Sequence, residues 1–73
     1  MYALVYLILQ NNSVAEMRVK LYEDWRRASR DMQQAYEDRL SVLARPEWKY
    51  KSAVSCTLKE GDTTYDWSII MPY

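Results

Sequence analysis

Histidine is absent from the sequence, and its absence excludes several kinds of chemistry. Without an imidazole, the chain has no Ser-His-Asp or Cys-His catalytic group, and it lacks the side chain most often used to move protons or to bind zinc. The aspartate and glutamate residues are spread along the chain without a converging pair, so a carboxylate-only enzyme is a minor alternative. We therefore expect a protein that is not an enzyme and that uses no metal or other cofactor.

Glycine and cysteine occur only once each, at Gly61 and Cys56. One glycine cannot build a glycine-rich loop around a phosphate. One cysteine cannot form an internal disulfide, which is typical of a protein in a reducing cytoplasm. Cys56 falls on the apolar side of a predicted strand, where a packed thiol is favoured over a nucleophile. The uncharged run 1–9 is about half as long as a bilayer span, so we expect a cytoplasmic protein without a membrane anchor.

Net charge is also absent, because ten basic residues balance ten acidic ones. The whole-molecule field therefore does not direct the protein to nucleic acid. With 73 residues, the chain is expected to form one domain, 1–73, close to the lower size limit for an independent core. It has seven Tyr and three Trp but no Phe, and aromatic rings that carry a polar group suit half-exposed surfaces and interfaces.

Apolar side chains recur every three or four residues between Trp25 and Leu43, which predicts an amphipathic α-helix. The apolar stripe consists of Trp25, Ala28, Met32, Tyr36, Leu40 and Leu43. The helix is expected to end before Pro46, because the residue that precedes a proline is biased away from helical geometry.

Two alternating runs flank Gly61 and predict a C-terminal β-hairpin. In the first run, one side holds Trp48, Tyr50, Val54, Cys56 and Leu58, and the other holds Lys49, Lys51, Ser55, Thr57 and Lys59. Read as one strand, this run turns both its aromatic rings toward the core and its lysines toward solvent. A two-residue turn then brings Leu58 or Cys56 opposite Tyr65, so that the apolar sides of the two strands coincide.

The segment Val14–Tyr22 allows two interpretations. As a strand, it follows a hairpin turn at Asn11-Asn12, since asparagine tolerates left-handed geometry. As a helix, it extends the stripe and begins with a capping box at Ser13–Glu16. That helix would be about 45 Å long and would overhang strands of about 30 Å. We therefore favour an α+β fold of order β-β-α-β-β, a small antiparallel sheet with one long helix on one face. The alternative order is β-α-β-β.

The first strand is apolar on both sides, although one helix can cover only one side of the sheet. With a two-residue turn at Asn11-Asn12, the side beneath the helix holds Tyr2, Leu4, Tyr6 and Ile8, opposite Leu21, Val19, Met17 and Ala15. The uncovered side holds Ala3, Val5, Leu7 and Leu9, and charged edge strands are expected to surround it with basic residues. We predict that Ala3, Val5, Leu7, Leu9, Arg18 and Lys20 bind a partner or a second copy of the chain.

These observations favour a non-catalytic protein-binding module, acting as a homodimer or on a foreign protein. In length and style, a helix on a small sheet without catalytic residues, the chain resembles small phage- or prophage-encoded accessory proteins, many of which inhibit a host protein by occluding it. Arg26, Arg27 and Arg30 form a second basic patch on the predicted helix. The alternative function is a nucleic-acid-binding regulator that uses these arginines and the strand lysines.

Overall fold

One antiparallel sheet of five strands carries a single α-helix on one face. A computed structural model describes residues 1–71. The elements are β1 (Tyr2–Gln10), β2 (Ser13–Tyr22), α1 (Trp25–Val42), β3 (Trp48–Lys51), β4 (Ser55–Glu60) and β5 (Thr63–Ile70). The predicted fold class and the order β-β-α-β-β are confirmed, and residues 14–22 are a strand. The difference is that the predicted third strand is divided in two, β3 and β4.

The strands lie in the order β2-β1-β5-β4-β3. The two most apolar strands, β1 and β5, are therefore adjacent in the middle of the sheet. The edges are β2 and β3, which carry charged side chains that discourage edge-to-edge aggregation. This arrangement agrees with the distribution of charge along the sequence.

Both predicted tight turns are present. Asn11 and Asn12 have φ values of 52° and 66° and connect β1 to β2, as in the left-handed turns that match the twist of a hairpin. Gly61 has φ 61° and connects β4 to β5, with Leu58 opposite Tyr65 as expected. The two turns lie at the same end of the sheet, where the Asn11 amide donates to the Asp62 carbonyl at 3.1 Å.

A β-bulge in β2 corrects the predicted register of the first hairpin. Leu9 pairs with Val14, but Ile8 pairs with Glu16, so Ala15 is an extra residue without a partner in β1. Because side chains alternate between the two sides of a strand, one extra residue inverts every position beyond it. The assignment of β1 is correct, whereas that of β2 is wrong from the bulge onward.

The core lies between α1 and the inner face of the sheet. Its buried apolar residues are Leu4, Tyr22, Ala28, Met32, Tyr36, Cys56, Leu58 and Trp67. The Trp67 ring stacks on Tyr6 with centroids 5.1 Å apart and meets the edge of Tyr36 at 6.1 Å. The helix begins after Asp24, whose carboxylate accepts a hydrogen bond from the Arg26 amide at 2.9 Å, an N-cap that the sequence reading did not use.

A turn built on serine separates β3 from β4. The Ser52 amide donates to the Ser55 carbonyl at 2.8 Å, and the Ser52 hydroxyl accepts from the Ser55 amide at 3.0 Å. Lys51 pairs with Cys56 across this hairpin, so the side chains of β3 are inverted relative to a continuous strand. The prediction that Trp48 and Tyr50 belong to the core is therefore wrong.

Candidate interaction surface

The face of the sheet opposite α1, called the outer face below, carries a continuous group of aliphatic side chains. Strand pairing brings the outward positions of β1, β2 and β5 side by side. We call this group the aliphatic patch; it consists of Ala3, Val5, Leu7, Leu9, Val14, Met17, Val19, Leu21 and Ile70. No other element among residues 1–71 packs over it.

The aliphatic patch is open to solvent mainly along β2. The exposed fractions are 63% for Met17, 54% for Val19 and 60% for Leu21, and Ile70 on β5 is 53% exposed. The β1 residues of the patch are half-buried, because their strand has a neighbour on each side. Scattered exposed apolar side chains are ordinary on protein surfaces, whereas a contiguous patch marks an interaction site.

The predicted binding residues fall on two different faces. Ala3, Val5, Leu7 and Leu9 lie on the outer face, as predicted. Arg18 and Lys20 lie on the inner side, because they pair with Tyr6 and Leu4 across the hairpin. The predicted basic rim around the outer face is therefore wrong for β2. The bulge at Ala15 causes this change, since it exchanges the charged and the apolar sides of β2.

Three residues of the patch, Met17, Val19 and Leu21, were placed by the sequence reading beneath the helix. Their alternation with Glu16, Arg18 and Lys20 identified a two-sided strand correctly. The bulge decides which side of β2 faces outward, and no glycine or other sequence signal at Ala15 predicts a bulge there.

The other half of the outer face is polar, with two aromatic rings at its edge. The Thr57 hydroxyl donates to the Asp66 carboxylate at 2.9 Å. Beyond β4, Trp48 and Tyr50 are 54% and 47% exposed, with ring centroids 6.3 Å apart and planes at 14°. In the five described strands, Lys59 and Asp66 are the charged side chains of this face.

A groove of about 620 Å³ lies on the opposite side of the molecule, between β2 and the C-terminal half of α1. Its residues include Leu4, Tyr6, Arg18, Lys20, Ala35, Asp38, Arg39 and Trp67. Arg18 pairs with Glu16 at 3.1 Å, and the Lys20 ammonium lies 5.3 Å from the Tyr22 ring centroid. The groove therefore combines an apolar floor with a mainly cationic border.

Arg39 is held in this groove by two aromatic rings. It donates a hydrogen bond to the Tyr6 hydroxyl at 3.3 Å, and its guanidinium lies 4.7 Å from the Tyr65 ring centroid. Burial raises the pKa of Tyr6 above its ordinary value, although the nearby Arg39 charge opposes this effect. The phenol thus stays protonated at neutral pH beside a fixed cation.

The second predicted patch, Arg26, Arg27 and Arg30, lies exposed on the N-terminal half of α1. Arg26 pairs with the Asp24 carboxylate at 3.5 Å. Arg26 and Arg30 line a pocket on the far side of α1 with Glu37 and Lys51, whereas Arg27 lies near the end of β2 and lines a pocket with Leu21. The three arginines are therefore divided between two places, and only Arg27 adjoins the aliphatic patch.

The single cysteine and the acidic side chains are the remaining groups that could carry chemistry or bind a metal ion. Cys56 is a free, buried cysteine, and burial raises the pKa of its thiol, as expected for a packed side chain. Within residues 1–71, no three His, Cys, Asp or Glu side chains are grouped so as to hold a metal ion, and no helix is long and apolar enough to cross a membrane. Comparisons with protein families, curated proteins and solved structures gave no match to this chain.

Proposed function

We propose that the protein is a non-catalytic protein-binding module that forms a homodimer through its outer face. The observation that carries this proposal is the aliphatic patch, in which Met17, Val19, Leu21 and Ile70 are each more than half exposed. Burial of half of such a side chain contributes on the order of 1 kcal/mol, so several of them together favour association. The dimer would act by occluding or tethering another protein, in the manner of the small accessory proteins that the chain resembles.

The area of the outer face fits a dimer interface. The principal extents of the molecule are 35 × 23 × 15 Å, so the whole outer face, taken as a rectangle, is at most about 800 Å², close to the area that each partner contributes to a standard interface. The aliphatic half of this face and the Trp48 and Tyr50 rings at its opposite edge also belong to the residue types enriched at interfaces.

The charges of the outer face are compatible with a second copy of the same surface. It carries one basic residue, Lys59, and one acidic residue, Asp66, on neighbouring strands. In a two-fold interface, a surface with one charge of each sign can place opposite charges together. A foreign partner would not require one charge of each sign on this face. The balance of Lys59 and Asp66 therefore favours a second copy of the chain as the partner.

The substitution Val19→Lys tests this proposal. Val19 is 54% exposed, so the monomer tolerates lysine, whereas a two-fold dimer loses two valines and gains two desolvated ammonium groups. We expect the dimer to weaken by about 3 kcal/mol, or about 100-fold in Kd, in sedimentation velocity over a range of concentrations. The matched control is Val42→Lys, at an exposed valine on α1, which should leave the Kd unchanged. A monomeric wild-type protein, or equal effects of both substitutions, would contradict the proposal.

The exposure of Trp48 and Tyr50 favours a second candidate function, the binding of single-stranded nucleic acid. Bases stack on exposed aromatic rings of a sheet, and Lys59 lies opposite Trp48 on the same face. We would then expect Trp48→Ala to abolish binding of a single-stranded oligonucleotide in a filter assay, with a steep dependence on salt. Oligonucleotide binding that depends on Trp48, together with a dimer Kd that Val19→Lys leaves unchanged, would support this second function.

A further inference from the structure

The geometry of the free edge of β2 points to a specific kind of partner. We propose that this edge binds an extended segment of another protein as an added antiparallel strand, and that the segment alternates apolar with acidic residues. The inference rests on the proposed protein-binding function and names the class of partner. It uses the backbone edge of β2, whereas the proposed dimer uses the outer face; Met17, Val19 and Leu21 border both surfaces.

β2 has the features of a strand that can accept another strand. It is ten residues long, pairs with β1 on one side and ends the sheet on the other. Beyond the bulge, pairing with β1 is regular from Glu16 to Tyr22. No proline interrupts the strand, so the backbone groups of its free edge can pair with a second chain. The other edge strand, β3, has only four residues and offers a shorter template.

The two sides of β2 specify two different sets of side chains in the added strand. Residues directly opposite each other in an antiparallel pair share one side of the sheet. An added strand would therefore place one set beside Met17, Val19 and Leu21, where apolar side chains fit. It would place the other set beside Glu16, Arg18 and Lys20, where acidic side chains opposite Arg18 and Lys20 stabilise a cross-strand pair.

The groove beside β2 strengthens the preference for acidic residues. Its volume is about 620 Å³, and its border includes Arg18, Lys20 and Arg39, with Asp38 as the one carboxylate that lines it. Asp38 already accepts a hydrogen bond from Gln34 at 2.9 Å. Glu16 lies on the same side of β2 and pairs with Arg18 at 3.1 Å, so three basic side chains face two acidic ones here. The remaining positive charge favours an acidic partner, and such complementarity selects a partner more than it raises affinity.

A second copy of the chain fits this edge less well. When two regular runs Glu16–Tyr22 overlap completely in antiparallel fashion, the pairing is centred on Val19, and Arg18 of each copy lies opposite Lys20 of the other. Like charges directly opposite each other are destabilising. A pairing centred on Arg18 brings Glu16 opposite Lys20, but it covers only residues 16–20 of the regular run and sets the two Arg18 side chains opposite each other. A pairing centred closer still to the turn meets the bulge at Ala15, which interrupts the ladder. Charge therefore directs the edge to a foreign, acidic strand.

Two synthetic peptides of about eight residues, within the ordinary length of a strand, serve as probes. One alternates valine and threonine with glutamate, and the other has lysine in place of each glutamate. We expect the full-length protein to bind the glutamate peptide in fluorescence anisotropy and to discriminate against the lysine peptide. Amide exchange measured by NMR should slow along β2 on binding, because alternate amides of the free edge gain partners.

The double variant Arg18→Glu, Lys20→Glu should bind the glutamate peptide at least about tenfold more weakly and should now bind the lysine peptide. The control Arg26→Glu, Arg30→Glu makes the same change of charge on α1 and should bind like the wild type. Equal loss in both double variants, or binding without protection of β2, would overturn the inference. A homodimer that the β2 variant abolishes and Ile70→Lys leaves intact would also overturn it, because a second copy would then occupy the edge.

The same measurements separate this inference from the dimer proposal. Ile70 lies in the aliphatic patch on β5, away from the β2 edge, so Ile70→Lys should yield a monomer that still binds the glutamate peptide. If the wild-type protein is monomeric at all concentrations and still binds the glutamate peptide, the result supports the edge inference and contradicts the dimer proposal. If the protein is a stable dimer that binds neither peptide, the result contradicts the edge inference and leaves the dimer proposal standing.

Discussion

Removing one hydroxyl group, in Tyr22→Phe, should measurably loosen the attachment of the edge strand to the helix. Tyr22 is the last residue of β2 and is buried beneath α1. Its hydroxyl donates to the Asp31 carboxylate at 2.7 Å. Hydrogen bonds to charged groups contribute about 1.5–3 kcal/mol, but water can reach the half-buried Asp31 after the substitution. We therefore expect a loss of about 1–2 kcal/mol, or roughly 5–15 °C in Tm for a domain of this size.

The dependence of this loss on pH provides a sharper test. Burial, followed by the hydrogen bond and the charge of Asp31, raises the pKa of Tyr22 from 10.0 to about 12. A group whose pKa is higher in the folded state stabilises the fold fully below its unfolded pKa. The contribution is then lost as the pH rises from 10 toward 12. The difference in stability between wild type and Tyr22→Phe should shrink over this interval.

Urea denaturation followed by tryptophan fluorescence measures both effects, since Trp67 is buried in the core. Burial also raises the pKa values of Tyr6 and Tyr36, so the wild type alone would lose stability in alkali for several reasons. Subtracting the free energy of unfolding of Tyr22→Phe from that of the wild type at each pH isolates the contribution of the Tyr22 hydroxyl. A double-mutant cycle with Asp31→Ala should give a coupling of about 1 kcal/mol. Equal stabilities at pH 8, or a difference that stays constant to pH 12, would refute the role assigned to this hydrogen bond.

Two further predictions concern the bulge and the cysteine. Deleting Ala15 should preserve the pairing of β1 with β2 beyond the bulge, because Glu16 then follows Val14 in a regular ladder. We expect the free energy of unfolding, measured by urea denaturation, to stay within about 1 kcal/mol of the wild-type value. A larger loss of stability would show that the fold requires the bulge. Cys56 should resist alkylation by iodoacetamide at pH 8 in the native protein, because burial raises the pKa of its thiol, and it should react when the protein unfolds. Mass spectrometry measures the alkylated fraction. Rapid labelling of the native protein would contradict the placement of Cys56 in the core.

The elements of the fold could be predicted from the sequence because each has a local signal. The apolar period of α1, the asparagine pair at the first turn and Gly61 at the last one all act through a few neighbouring residues. The distribution of charge was enough to separate central strands from edge strands. The uncovered side of β1 followed from these elements, since both of its sides are apolar.

The faces of β2 and β3 could not be predicted, and both errors have the same physical cause. The bulge at Ala15 and the turn at Ser52 each break the alternation of side chains at a point without glycine or proline. Every position on the far side of the break is then inverted. As a result, simple alternation predicts Val19 and Trp48 in the core, although both belong to the exposed outer face.

The position of β1 beside β5 has a consequence for biosynthesis. Ala3 pairs with Ile70 in the middle of the sheet, so the two central strands come from opposite ends of the sequence. A ribosome must release nearly all of these residues before that ladder can close, and contacts between such distant segments form slowly. Until β5 is available, β1 has a neighbouring strand on one edge only, β2, and an unpaired apolar strand edge is prone to aggregation during folding.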